Sequence, residues 1–162
     1  MGQDAAGPGR ATSTTSVRVR ATADAAYRAC TDPDALVAWR VPDAMTGVVH
    51  RFDARVGGGY RMSLTYRTAD HEVAGKSGAH TDTFRGTFLE LVPGRRVVER
   101  VEFETDGPAA AGPMTIITTF VESDGTTEVT LVHQDLPPGV RPEDNELGTR
   151  QSLAKLRALL EG

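Results

Sequence analysis

The stretch from about Pro142 to Leu160 constrains this chain more than any other. At about 100° per residue, Leu153, Leu156 and Leu160 share one stripe and Leu159 lies at its edge, which predicts a one-sided helix. Pro142 suits a first helical turn, where its missing N–H is not needed, and Glu143, Asp144 and Glu146 suit the positive end of the helix dipole. Traced back along the same face, the stripe becomes Ser152, Thr149 and Asn145. The helix is therefore apolar in its last two turns and polar or small in its first two. It cannot hide its stripe alone, and because the chain between Val48 and Asp135 reads as strands, the covering surface is one face of a sheet.

The chain ahead of the helix supplies that sheet. Residues 1–14 have hardly an apolar anchor and read as an unpacked tail, leaving 15–162 as a single domain. Val17 and Val19 alternate with arginines as a first strand. Two short helices are expected next, one from Asp24, a suitable N-cap, to Cys30, and one capped by Asp32, with Pro33 in its first turn and its end before Pro42. From Val48 the period is two. Val48, His50 and Phe52 share a face; after Gly57-Gly58-Gly59, Tyr60, Met62, Leu64 and Tyr66 do so. Phe84, Gly86 and Phe88 follow, then Val97, Glu99, Val101 and Phe103. The last two sets are Met114, Ile116, Thr118 and Phe120, and Val129, Leu131 and His133. Polar loops are expected at 68–78 and 106–113, and turns at Pro93-Gly94 and Asp124-Gly125. The triple glycine leads into a strand with no following Lys-Ser/Thr, so it reads as a bend or bulge and not as a phosphate loop. The fold class is α+β: a curved antiparallel sheet of about six to seven strands wrapped around a long C-terminal helix, with two short helices after the first strand.

A chain of 162 residues can bury a real core, since a domain of this size hides roughly 70% of its unfolded surface. A net charge of −4, with no cluster of Lys or Arg, argues against nucleic acid as a partner. No apolar run is long enough for a membrane span or a signal-peptide core, so the expected location is the cytoplasm. The one cysteine, Cys30, allows no intramolecular disulfide and no cysteine metal cage, and reads as a small packed residue. His50, His71, His80 and His133 lack ligand spacing, and neither a G-x-S-x-G elbow nor a dinucleotide fingerprint is present. No metal and no cofactor are expected.

Several segments, in this order and spacing, resemble a known family: Pro33-Asp34-Ala35-Leu36-Val37-Ala38-Trp39; Phe52-Asp53-Ala54-Arg55-Val56-Gly57-Gly58-Gly59-Tyr60-Arg61; Phe84-Arg85-Gly86-Thr87-Phe88 leading to Pro93-Gly94; Thr127-Glu128-Val129-Thr130-Leu131-Val132-His133; and Gly148 with Leu153 and Leu156. Together they resemble the homologues of the activator of the ninety-kilodalton heat-shock protein ATPase (AHSA-like proteins). That family belongs to the helix-grip (START-like, SRPBCC) superfamily, with START lipid-transfer domains, birch-pollen-allergen-like proteins and polyketide cyclases. The resemblance spans about residues 15–161 and implies a helix-grip fold with an elongated cavity between the sheet and the last helix. Two positions depart from the family pattern. Thr149 stands where members often carry Trp, and Arg40 stands where many have a second aromatic next to Trp39.

Strand parity then names the candidate lining of that cavity. From the strands come Tyr60, Met62, Phe84, Phe88, Val101, Phe103, Met114, Ile116, Thr118, Leu131 and His133. Trp39 is added from the second short helix, and Asn145, Thr149 and Ser152 from the long one. His133 and Glu99 are the one inward titratable pair, candidates for acid and base or for orienting a polar ligand group. Three functions compete. The favoured one is a binding protein for a small hydrophobic molecule. The second is a cavity enzyme of the polyketide cyclase or hydratase sort using His133 and Glu99. The third is a regulator of a chaperone ATPase. Oligomeric state, a homodimer included, is open at this level.

Overall fold

The structure, a computed structural model, describes residues 11–66, 81–104 and 112–162. Strand β1 (Ala11–Val19) leads into helices α1 (Ala23–Thr31) and α2 (Pro33–Arg40). Six strands follow: β2 (Met45–Asp53), β3 (Gly59–Tyr66), β4 (Thr81–Val92), β5 (Arg96–Phe103), β6 (Met114–Ser123) and β7 (Thr126–Leu136). Helix α3 (Pro142–Glu161) closes the chain. The strands make one antiparallel sheet in the order β1-β7-β6-β5-β4-β3-β2. β2 to β7 are thus a meander, and β1 pairs with β7 at the far edge. The curved inner face of the sheet, α2 and α3 enclose the core, in which Leu36, Trp39, Tyr60, Met62, Phe88, Leu153 and Leu156 are almost wholly shut off from solvent.

Local chemistry explains the element ends. Asp32 caps α2, accepting from the amides of Asp34 and Ala35, with Pro33 in the first turn. The Trp39 indole N–H donates to the carbonyl of Ala29 at 2.9 Å and so ties α2 to α1. Asp124 and Gly125 both take positive φ (54° and 79°), as the two central residues of a type I′ hairpin require, and join β6 to β7. At the triple glycine, Gly57 has φ +86°, and a Cβ on Gly59 would lie 1.9 Å from the carbonyl oxygen of Gly86. The glycines serve a bend and a close approach of two backbones.

Three sequence expectations change, and a fourth lies outside the described residues. The first strand begins at Ala11 and not near residue 15, so residues 11–14 belong to the sheet. Ser13, Thr14 and Thr15 pair with His133, Val132 and Leu131, and Ser13 and Thr15 are buried. Small hydroxyl residues carry no hydrophobic signal, yet they suit a strand that a helix crosses closely. The cap of α1 is Thr22, which accepts from the Ala25 amide at 3.1 Å; Asp24 sits inside the first turn and pairs with Arg28. In β2 the pairing with β3 shifts register between Val49 and Arg51, so the inward set becomes Val49 and Phe52, and Val48 is 56% exposed. Alternation alone cannot foresee a bulge. Finally, the expected loop at 68–78 with its His71, together with His80 and all but the last two residues of the loop at 106–113, lies outside the described residues.

Candidate functional site

The two halves of α3 meet different interiors. Leu153 and Leu156 fill the core, whereas the first two turns border a cavity of about 430 Å³. Asn145, Gly148, Thr149 and Ser152 face it from the helix. The opposite wall is made by the ends of strands nearest the start of α3, with Leu64, Phe84, Phe103, Met114, Ile116 and Leu131. Pro42 and Ala44, from the connection between α2 and β2, and Met45 at the start of β2 add to the lining. That connection is held from α3 by Lys155, whose ammonium donates to the Val41 carbonyl and lies 3.1 Å from Asp43.

Most of the side chains selected by parity border this space: Phe84, Val101, Phe103, Met114, Ile116 and Leu131, then His133, and from α3 Asn145, Thr149 and Ser152. Trp39, Tyr60, Met62, Phe88 and Thr118 do not. All five are fully buried, at 0% exposure, and lie in the packed part of the interior. Parity tells which face a residue takes, but not how far along its strand the packing stops. Leu64 and Tyr66 share the parity of Tyr60 and were legible as lining on that ground. Asp82 on β4 likewise shares the parity of Phe84, whereas Arg40, Val140 and Asp144 had no such signal, because helix ends and loops have no two-residue period.

Arg40 is the residue the sequence reading most undervalued. Its guanidinium is 13% exposed, bonds Oε2 of Glu99 at 2.8 Å and lies over the Trp39 ring at 4.7 Å. Tyr60 Oη donates to Oε1 of Glu99 at 2.5 Å. Burial opposes the charge on Arg40, and Glu99 beside it more than offsets that, so its pKa is raised. Burial, then Glu99, push Tyr60 well above the ordinary phenol range, which keeps it a donor. Both Glu99 oxygens therefore have partners. The triad links α2, β3 and β5 across the interior.

This arrangement breaks the expected acid–base pair. Glu99 pairs with Ile116, and Ile116 with His133, so the two titratable residues stand two strands apart, roughly 10 Å at ordinary strand spacing. His133 is 7% exposed and its Nδ1 is buried without a partner. Burial first, and the charge of Arg40 second, push the imidazole down to about 4, so it is neutral near pH 7. Cys30, packed under α2 and pushed up to about 12 mainly by burial, is a thiol and not a nucleophile. Among the described residues no group of three or more His, Cys, Asp and Glu side chains could hold a metal ion, and no helix is long and apolar enough to cross a membrane.

Comparison with known proteins places this geometry in context. Among solved structures, a protein from Chromobacterium violaceum is similar at 31% identity and a TM-score of 0.82, over 93% of this chain and 97% of the other. A protein from Mycobacterium smegmatis matches at 17% identity and a TM-score of 0.71, over 93% and 91% of the two chains. DynU16, a protein in the dynemicin biosynthetic locus, matches at 19% identity and a TM-score of 0.62, over 92% of this chain and 46% of that one; the last two likenesses concern the fold alone. No curated protein matches the chain. The family described as "Activator of Hsp90 ATPase homolog 1-like protein" matches residues 20–161, which take in strands β2 to β7 and all three helices. With its helix-grip sheet, its gripped C-terminal helix and a family match over most of its length, this chain belongs to the family of Activator of Hsp90 ATPase homolog 1-like proteins.

Proposed function

We propose that this protein binds a small, mainly apolar molecule in the cavity between the sheet and the first half of α3, and that it does so in the cytoplasm. The observation that carries this reading is the cavity itself: about 430 Å³ between the sheet and the first half of α3, walled mainly by apolar side chains. Its size and its apolar walls, with a few polar groups, suit a small-molecule site. Phe84, Phe103, Met114, Ile116 and Leu131 supply the apolar contact, and Asn145, Thr149 and Ser152 leave the room. A cyclase or hydratase would need an acid and a base that reach one substrate, and Glu99 is already bonded to Arg40 and Tyr60. The family description also names an activator of a chaperone ATPase, a role for which the site offers no separate support.

Native mass spectrometry of freshly purified protein tests the reading. A co-purifying molecule, lost on denaturation and restored by adding back the extracted compound, supports it. Protein that stays at its bare mass, and that binds no compound from an apolar small-molecule library, contradicts it.

A further inference from the structure

His133 is the polar group that the core leaves over. Its ring is 7% exposed and borders the cavity, yet it forms no hydrogen bond with any described residue. Nδ1 is sealed off without a partner, which leaves Nε2 as the nitrogen on the cavity side. Buried polar groups are nearly always hydrogen-bonded, so a ring of this kind marks a place where a partner belongs. The neighbours do not supply one. Ser13 and Ile116 flank His133 across the two ladders, and the Ser13 hydroxyl donates to Asn145 instead. Arg40 gives Nη2 to Glu99, and its Nε is itself buried without a partner. The remaining source is the open space in front of the ring.

The surroundings decide what kind of group fits there. A neutral imidazole nitrogen donates or accepts according to its tautomer, so Nε2 can hold a carbonyl or a hydroxyl oxygen. An anion is a poorer match. The charged groups around the cavity are Arg40 from α2, Asp82 from β4 and Asp144 from α3. Arg40 is the one cation among the described lining residues, and Glu99 balances its charge. A carboxylate would leave water for mainly apolar walls whose one cation already has a carboxylate partner, with the acidic Asp144 exposed at the rim.

We propose that the ligand of this cavity is an uncharged, mainly apolar molecule carrying a carbonyl or hydroxyl oxygen that hydrogen-bonds His133, and that the site rejects carboxylates of the same shape. This deepens, and rests on, the reading of the cavity as a binding site.

The test uses three naphthalenes of similar shape: acetylnaphthalene, isopropylnaphthalene and naphthoate. Each is measured near pH 7 by displacement of prodan, an uncharged fluorescent ketone. The ketone is expected to bind about five- to tenfold more tightly than the hydrocarbon, the range one net hydrogen bond gives. Naphthoate is expected to be the weakest of the three. His133→Leu should erase the difference between ketone and hydrocarbon, and His133→Gln, which can still donate and accept, should keep it. Equal binding of ketone and hydrocarbon by the parent, tightest binding of naphthoate, or a preference that survives His133→Leu would overturn the proposal while leaving the cavity a binding site. Failure of prodan and of all three compounds to bind would overturn the cavity reading and the proposal with it. If His133→Leu does not fold, the order of the three ligands on the parent and on His133→Gln decides.

Discussion

Acidification should unfold this protein partly through one buried histidine. His133 titrates near 4 in the folded chain, against an ordinary 6.5, because burial and the charge of Arg40 both oppose a second proton on the ring. The unfolded chain therefore takes up a proton below 6.5 that the folded chain refuses until about 4. Stability is flat above that upper value, falls as the pH drops from 6.5 to 4, and loses nothing more to this residue below. At about 1.36 kcal/mol per pH unit, the gap amounts to about 3 kcal/mol, of which about 2 are gone by pH 5. The charged groups that share the cavity with His133, Arg40 on α2, Asp82 on β4 and Asp144 on α3, remain in the variant. His133→Gln should therefore cut the loss of stability between pH 7.5 and pH 5 by about 2 kcal/mol. Urea denaturation at the two values measures it, and Trp39, the single tryptophan and fully buried, reports unfolding by its fluorescence. Equal pH dependence in parent and variant would refute the reasoning, because His133 would then be hydrated or paired in the folded state.

Three further outcomes follow from the packing. Leu156→Ala should lower stability by about 2–5 kcal/mol, read from the denaturation midpoint, because the side chain is fully enclosed between α3 and the sheet; an unchanged midpoint would place it outside the core. Gly86→Ala should cost about 1–3 kcal/mol or more in the same assay, since its Cβ would lie 2.3 Å from the Tyr60 ring, and a variant as stable as the parent would show that the ring moves freely. Glu99→Leu should cost about 3–5 kcal/mol by stranding Arg40, and Arg40→Met in the same chain should recover much of that; a double variant no better than the single one would mean that the ion pair is not what Glu99 contributes.

The parts of this fold that were legible are those with a local period or a local turn chemistry. The stripe of Leu153 and Leu156, the alternation from Tyr60 to Tyr66, and the Asp124-Gly125 turn each reflect backbone geometry within a few residues. The change from Leu153 to Thr149 along one helix face also located the open end of the interior, since small polar side chains cannot fill it. What failed depends on long-range registration. The bulge at His50 is set by how β2 meets β3, and the burial of Ser13 by the distant β7. The bond of Arg40 to Glu99 joins residues 59 apart in sequence, brought together only when α2 docks over β5. Parity had likewise put Tyr60 and Phe88 beside the ligand, where the structure packs them into the core.

The measurement that bears most directly on the cavity as a binding site is a comparison of Thr149→Trp with the parent, by thermal melting and by prodan titration. Thr149 is buried, borders the cavity and directs its hydroxyl back to the Asn145 carbonyl at 2.7 Å, so an indole at this position projects from a packed helix toward the open volume. The account predicts an unchanged or higher melting temperature together with prodan binding at least about tenfold weaker, a loss of about 1.4 kcal/mol of binding free energy. A variant destabilised by about 1–3 kcal/mol or more, as overpacking of a filled core would give, or one that binds prodan as well as the parent does, would contradict it.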